Sequence, residues 1–594
     1  MKTIKKILGT LLLAFMVSVG VQAQENQSYI MHTIEKGQTL TSISSMYGVS
    51  IDDIVKLNPG SDTTIIEGKQ LRIPRRPSNQ QGGSFHTIIS GETLYRLSQN
   101  YKVTVRAIMD ANPGLSATNF KAGQVIRIPA SNEQTELKPA EQPQEQEIPQ
   151  AVRPAVREMH KVKSGETIYS IARQYGITEE ELLSANSDLK DARKLKKNSF
   201  LAIPYHKEDT PKQEVKEPTD RELFQANTEA AKKLHSIKAA VILPFLKDGN
   251  ATAETKRMLE YYQGFLLAMD SLKGTGANID LHTYNSGSTV EEMKTLLAKS
   301  EMKDMNIIFG PMHTDQIEPL ANFAQEHEIR LVIPFTSRDN TVYNNPQVYQ
   351  VNTPQSYFYS EVFDHFARQF PNAHVIFIES RDTDKADFIK GFREDLQRRS
   401  VPSTTLSESE GYEAMKGSLR PDKDNIFVPT SGSNTALIKS IPQLTLVVRD
   451  SILNITQGID NIHLFGYPEW QTYTNDFLES FFELDTYFYT SFYTNNLMEE
   501  PKQFIAKFRR WYGKEMEDRY PKYGMLGFDT GFFFLKGMWL YGTAFDQNQS
   551  QLLARPIQTG FKYERVNNWG GFINKKVFFV HFTRNNELIK LDFD

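Results

Sequence analysis

Residues able to do chemistry are most telling here for the partners they lack. The 594-residue chain contains no cysteine, and so no thiol nucleophile. None of its 12 histidines stands at His-x-His spacing and no His-Glu-x-x-His occurs, which removes the usual zinc-peptidase ligand sets. No Gly-x-Ser-x-Gly elbow exists, and Ser431-Gly432-Ser433 reads as a turn. A pair of carboxylates could act on a glycoside only at a separation that a fold must supply. No catalytic residue, metal or cofactor is therefore expected. What recurs is a turn: Gly37-Gln38-Thr39-Leu40, Gly91-Glu92-Thr93-Leu94 and Gly165-Glu166-Thr167-Ile168 follow His32, His86 and His160 at one fixed spacing. Each of these histidines opens a strand and reads as structural.

The elements that position those turns repeat three times, over His32–Pro74, His86–Pro129 and His160–Pro204. In the first copy a short strand leads to a turn at Gly37. A helix with Leu40, Ile43 and Tyr47 on one face follows. A second helix starts at Ser50, or Thr178 in the third copy, with an acid three residues on as in a capping box. Asn58-Pro59-Gly60 and Asn112-Pro113-Gly114 stop it, and a closing strand ends at proline. Each unit is thus β-α-α-β. Arg75–Ser84, Ser131–Arg157 and Lys207–Asp220 are Pro/Gln/Glu-rich or polar, too poor in apolar residues to offset ordering entropy, and read as linkers.

From about His235 short apolar runs alternate with amphipathic helices, the pattern of parallel sheet built from βαβ units. Two such series suggest two doubly wound lobes, with a capping box at Ser288…Glu291 and a strand-rich closing element over Phe561–Leu591. The aromatic runs Tyr487–Tyr493 and Phe532–Phe534 read as core. Expected boundaries are a signal peptide at 1–23, repeats at 30–75, 85–130 and 158–205, linkers at 131–157 and 206–234, and a bilobal α/β domain at 235–594. The signal reading rests on basic Lys2, Lys5 and Lys6, the apolar Ile7–Val21 and the small-x-small site Val21-Gln22-Ala23. Its removal leaves 65 basic against 72 acidic residues, a balance that argues against nucleic acid or an anionic membrane as partner. No later stretch is long and apolar enough to span a membrane. Without a lipobox cysteine the chain cannot carry a lipid anchor of that kind. A Gram-negative periplasm fits best.

The repeats resemble the LysM family in the three tetrads, the Asn-Pro turns and the closing Gly-x-x-Ile/Leu-x-Ile-Pro. That resemblance implies binding of N-acetylglucosamine-containing glycan, peptidoglycan above all, between the loop after the first strand and the loop before the last. Turn N–H and C=O groups there would hydrogen-bond the acetamido group, and three weak grips would add through effective concentration. The implied glycan-binding residues are Gly37, Gln38, Thr39, Leu40, Asn58, Gly91, Glu92, Thr93, Leu94, Asn112, Gly165, Glu166, Thr167 and Ile168. The third copy departs from the pattern at Asn186-Ser187 and at Asn198, where Gly68 and Gly123 stand.

The C-terminal segment resembles the type 1 periplasmic-binding fold, the branched-chain amino-acid-binding group in particular. The matching residues are Tyr262-Gln263-Gly264, Ile307–Pro311, Val332–Ser337, Gly466-Tyr467-Pro468 and Gly527-Phe528-Asp529. The resemblance implies an amino-acid-like solute in the interlobe cleft, held by Thr314, Thr336 and Ser337, with Arg338 able to pair with an acidic group. Tyr284, Asn285, Trp470 and Asp529 are secondary candidates. The leading expectation is a non-catalytic, wall-tethered protein whose bilobal domain senses or docks a periplasmic partner. A solute-binding role in uptake is the alternative, and a peptidoglycan hydrolase the third.

Overall fold

The computed structural model describes residues 29–62, 65–75, 83–130, 158–186, 195–204, 217–228, 230–245, 252–382, 384–453, 461–495 and 498–593. The expected signal peptide, the 131–157 linker and most of the Arg75–Ser84 spacer lie outside them. Two compact units result. One comprises Met1–Glu92, Arg96–Ala130 and Phe224–Asp594, the other Thr93–Tyr95 and Ser131–Leu223.

Every repeat is the expected β-α-α-β unit. β1 (Tyr29–Thr33) pairs antiparallel with β2 (Gln70–Pro74), β3 (Ser84–Thr87) with β4 (Val125–Ile128), and β5 (Glu158–Lys161) with β6 (Phe200–Ile203). The two helices between them are short, Leu40–Tyr47 and Ile51–Leu57 in the first repeat. Thr39 and Thr167 cap their helices reciprocally with Ser42 and Ser170. Caps matter because helices this short cannot satisfy their own ends. In the third repeat Asn198 takes φ 67°, close to Gly68 at 78° and Gly123 at 89°. Asparagine is among the few side chains that tolerate this left-handed region, so the departure preserves the turn.

The domain from residue 237 onward is bilobal α/β, as expected. Its first lobe holds β7 (Ile237–Leu243), β8 (Ile279–Asn285), β9 (Ile307–Phe309), β10 (Arg330–Ile333) and β11 (Val348–Gln350). The second holds β12 (Ala373–Glu379), β13 (Ser403–Ser407), β14 (Asp424–Pro429), β15 (Ile462–Gly466) and β16 (Thr486–Thr490). The chain then returns through the helix Tyr523–Tyr541 to β17 (Tyr563–Arg565) and β18 (Phe572–Asn574), and ends in β19 (Phe578–Phe582) and β20 (Leu588–Asp592). Strand orders are β17-β18-β11-β10-β9-β7-β8 and β13-β12-β14-β15-β16-β19-β20, parallel within and antiparallel at one edge. The expected closing element is therefore not one unit: its first pair completes one sheet and its second pair the other. Tyr487–Thr490 of the aromatic run lie in β16, buried on both faces as central strands are.

Two further expectations shift. The capping box belongs to Thr289 and Glu292 rather than Ser288 and Glu291, because Glu292 returns to the Thr289 N–H while Glu291 pairs with Lys294 on the next turn. The 206–234 linker contains a helix, Asp220–Asn227, anchored by Phe224, which is 6% exposed and edge-on to Phe120.

The motif glycines pack helices. A Cβ on Gly264 would strike the Gly524 carbonyl, and one on Gly527 the Tyr261 carbonyl, so the helices Ala253–Lys273 and Tyr523–Tyr541 approach backbone to backbone. Within the larger unit the core of the first repeat runs without a break into that of the first lobe. The β17–β18 hairpin carries Asn567-Asn568-Trp569 at its tip. Trp569 meets the rings of Tyr47 and Phe85 at 5.8 and 4.9 Å. Asn568 donates to the Val125 carbonyl and accepts the Gly114 N–H, both at 2.8 Å.

Candidate glycan loops and interlobe cleft

The side chains that recur in all three copies are spent on the turn itself. His32 Nδ1 meets the Tyr47 hydroxyl at 2.8 Å and its Nε2 the Gln38 Oε1 at 2.7 Å. His86 does the same with Tyr101 and Glu92 (2.9 and 2.7 Å), and His160 with Tyr175 and Glu166 (3.0 and 2.9 Å). The same oxygens accept the N–H groups of Glu35, Ile89 and Lys163, which closes each loop. Burial lowers the His32 pKa, partly opposed by the Gln38 bond. The Lys163 N–H and His160 hold Glu166 below the usual carboxylate range.

Asn58, Asn112 and Asn186 act as staples. Asn112 donates to the Ile108 and Arg127 carbonyls and accepts the Arg127 N–H, joining helix end to closing strand. Asn58 and Asn186 make the corresponding three bonds. The amide groups of Asn58 and Asn112 are thus engaged inside their own modules.

The backbone at Lys36-Gly37, Ser90-Gly91 and Ser164-Gly165 makes the turn, with the glycines at φ 85°, 88° and 89°. Thr39 and Thr167 donate their N–H groups inward to Ser42 and Ser170 and cap their helices, while Leu94 is fully buried and Leu40 and Ile168 half-buried. Thr93 is half-buried. Two rings that the sequence did not single out, Tyr169 in the helix after the third tetrad and Phe200 opposite Lys161, are 59% and 60% exposed. Their signal was available: Thr41 and Tyr95, and Gln70 and Val125, stand at the matching positions of the other copies.

In the first lobe, Thr314 and Thr336–Arg338 follow the carboxyl ends of the adjacent parallel strands β9 and β10, where α/β sheets gather ligands. Thr314 is exposed at the start of a 3-10 turn. The Thr336 hydroxyl accepts the Arg338 N–H at 3.1 Å, Ser337 is half-buried and Arg338 exposed. The second lobe carries a polar group the sequence did not reveal, at the carboxyl ends of β12, β14 and β15. Lys385 pairs with Glu469 at 2.5 Å above the Tyr467 ring, near Ser431 and Ser433, which bond each other at 3.0 Å. These residues are scattered along the chain, so no local pattern flags them.

The secondary candidates are structural. Trp470 is fully buried, donates to the Gly432 carbonyl at 3.2 Å and stacks on Phe481. Asp529, 3% exposed, accepts the N–H groups of Ile557, Gln558 and Thr559, each at 2.8 Å; burial pushes its pKa up to about 6 against those bonds. Asn285 accepts the Phe245 N–H at 3.0 Å, and Lys299 lies over the Tyr284 ring.

Residues 32–74, 86–129 and 160–204 match the family model of the LysM domain. The three repeats are LysM domains. N-acetylmuramoyl-L-alanine amidase sle1 of Staphylococcus aureus (strain USA300) is 24% identical over 196 residues, 31% of this chain and 55% of that protein. Intracellular hyphae protein 1 of Colletotrichum lindemuthianum is 26% identical over 119 residues, 16% of this chain and 52% of that protein. The chain thus spans about half the length of the curated relatives it matches, and the amidase match covers only the LysM region. Among solved structures, the chain is similar to an ABC transporter substrate-binding protein from Desulfitobacterium hafniense in complex with Leu. Identity there is 14%, coverage 60% of this chain and 100% of that one, and the TM-score 0.35. A putative branched-chain amino acid ABC transporter from Rhodospirillum rubrum is 10% identical, over 59% of this chain and 99% of that one, with a TM-score of 0.41.

Proposed function

We propose that this is a non-catalytic, periplasmic protein that holds peptidoglycan through its LysM domains and presents a bilobal domain as a sensing or docking element beside the wall. The observation that supports this reading is the thrice-built loop, whose histidine, tyrosine and Gln/Glu side chains close the turn around its glycine backbone. Backbone groups and apolar surface suit a neutral acetamido sugar better than an ionic ligand. Tethering also works against free diffusion to a permease, which favours a fixed sensor over a shuttle. The test is co-sedimentation of the purified mature chain with insoluble sacculi: retention supports the reading, and a chain left wholly in the supernatant refutes it.

Thr336, Ser337 and Arg338 beside the carboxyl end of β10 favour a second reading, in which the cleft takes an amino-acid-like solute. Binding to the native state alone raises stability by RT ln(1 + [L]/Kd). A thermal-shift screen of amino acids and muropeptides decides it: no shift with any of them removes solute binding, while docking would stand.

A further inference from the structure

Three copies of one loop within a single chain are mutual controls, and their surroundings differ. In the first module the loop is partly covered, with Lys36, Gly37 and Thr39 half-buried. A Cβ on Gly37 would lie 3.1 Å from both Cα and Cδ1 of Tyr357, in the helix Gln355–Gln369 that opens the second lobe. Lys36 pairs with Asp364 of the same helix at 2.6 Å, and Glu67, in the loop before β2, reaches Arg398 at 3.6 Å. Ser42 is 1% exposed. In the third module the matching Ser164, Gly165, Thr167 and Ser170 are all exposed, and no described residue stands within 4 Å of a Cβ on Gly165.

The sequence differs in the same sense. The charged Lys36 and Glu67 that meet Asp364 and Arg398 are replaced by Ser90 and Ala122 in the second module, and by Ser164 and Lys197 in the third. No carboxylate stands at either matching position in those copies, so the paired charges belong to the copy that docks. In the second module the Leu94 N–H, at the end of the tetrad, donates to the Asp220 carboxylate at 2.7 Å. Among the described residues, only the third module sets large exposed rings, Tyr169 and Phe200, on the helix and strand that flank its loop. Aromatic faces are what a sugar ring packs on when backbone supplies the hydrogen bonds.

We propose a division of labour among the modules. The first LysM domain has given its sugar-facing loop to the protein's own second lobe, where it braces the bilobal domain. The third, which departs most from the repeat pattern, takes the acetylated amino-sugar chain. This inference rests on the peptidoglycan reading above.

The absence of native cysteine makes the test direct. In the full mature chain, Lys36→Cys and Ser164→Cys report matching positions of the two loops through maleimide labelling, with and without an N-acetylglucosamine hexamer. Ser164→Cys should label fast and be protected by the hexamer. Lys36→Cys should label about tenfold more slowly, as a docked loop that opens locally does, and ignore it. A second arm keeps both loops intact: Tyr169→Ala with Phe200→Ala should abolish retention on sacculi, while Lys36→Ser leaves it. Equal labelling with equal protection, protection of Lys36→Cys alone, or unaltered retention of the double variant overturns the division. Protection of neither cysteine, together with a wild-type chain that fails to sediment with sacculi, overturns the peptidoglycan reading instead.

Discussion

Replacing Trp569 with alanine should loosen the first two LysM domains from the first lobe without unfolding either lobe. The indole is 3% exposed and sits at the hairpin tip between β17 and β18, edge-on to Tyr47 and tilted against Phe85. Aromatic pairs of this geometry contribute about 0.5–1.5 kcal/mol each beyond burial. Truncating a buried Trp costs roughly 3–5 kcal/mol once the cavity is counted. Its Nε1 has no hydrogen-bond partner, so no polar bond is lost with it, which places the expected cost near the lower end, about 3 kcal/mol. For a unit of this size that corresponds to roughly 3–4 °C in the midpoint of the affected transition. Calorimetry of the mature chain should show that shift, with the first two LysM domains cleaved faster by protease. Trp569→Phe keeps a ring against Tyr47 and Phe85 and should lose less than half as much. A Trp569→Ala chain whose melting profile and proteolysis match wild type would refute the claim that this residue couples modules to lobe.

Asn112→Ala removes three internal bonds at a buried staple and should destabilise the second LysM domain by about 2–3 kcal/mol in chemical denaturation; a loss under 0.5 kcal/mol would deny the staple role. Asp485 lies between His463 at 2.6 Å and His581 at 3.0 Å; burial raises its pKa, but those two bonds outweigh it and hold the carboxyl below its ordinary value. A depressed carboxylate contributes stability above its unfolded pKa and loses it as pH falls through the folded one. Asp485→Asn, which keeps an asparagine-tolerant backbone at φ 47°, should therefore destabilise the second lobe at pH 7 and progressively less as pH is taken below the ordinary carboxylate range, measured by urea titration from pH 7 down to pH 2. Gln38→Glu, which gives His32 the carboxylate partner found in the other modules, should raise the His32 pKa in an NMR titration; an unchanged value would show that burial alone governs it.

How much was legible beforehand depended on how local the determining physics is. The LysM units were readable throughout because each is closed by contacts within about 45 residues: a glycine turn, a capped helix, an asparagine staple. Even the Tyr-His-Gln/Glu closure recurs at fixed spacing. Alternating strands and helices likewise gave the two parallel sheets, since central strands must be apolar on both faces. The capping box slipped by one residue because adjacent Ser288 and Thr289, and Glu291 and Glu292, offer the same chemistry in either register.

The sequence by itself determined the modules, their turns and the class of the larger domain, because those follow from periodicity and backbone preference over short stretches. Only the tertiary structure decided which lobe β17–β20 complete, that Gly264 and Gly527 serve a helix crossing, and that Trp569 wedges against the first two repeats. It alone distinguished three nearly identical loops, one pressed on Tyr357 and one open to solvent. The physical reason is range. A turn is specified by its own residues, whereas exposure of that turn is set by partners hundreds of residues away, and no local pattern carries them.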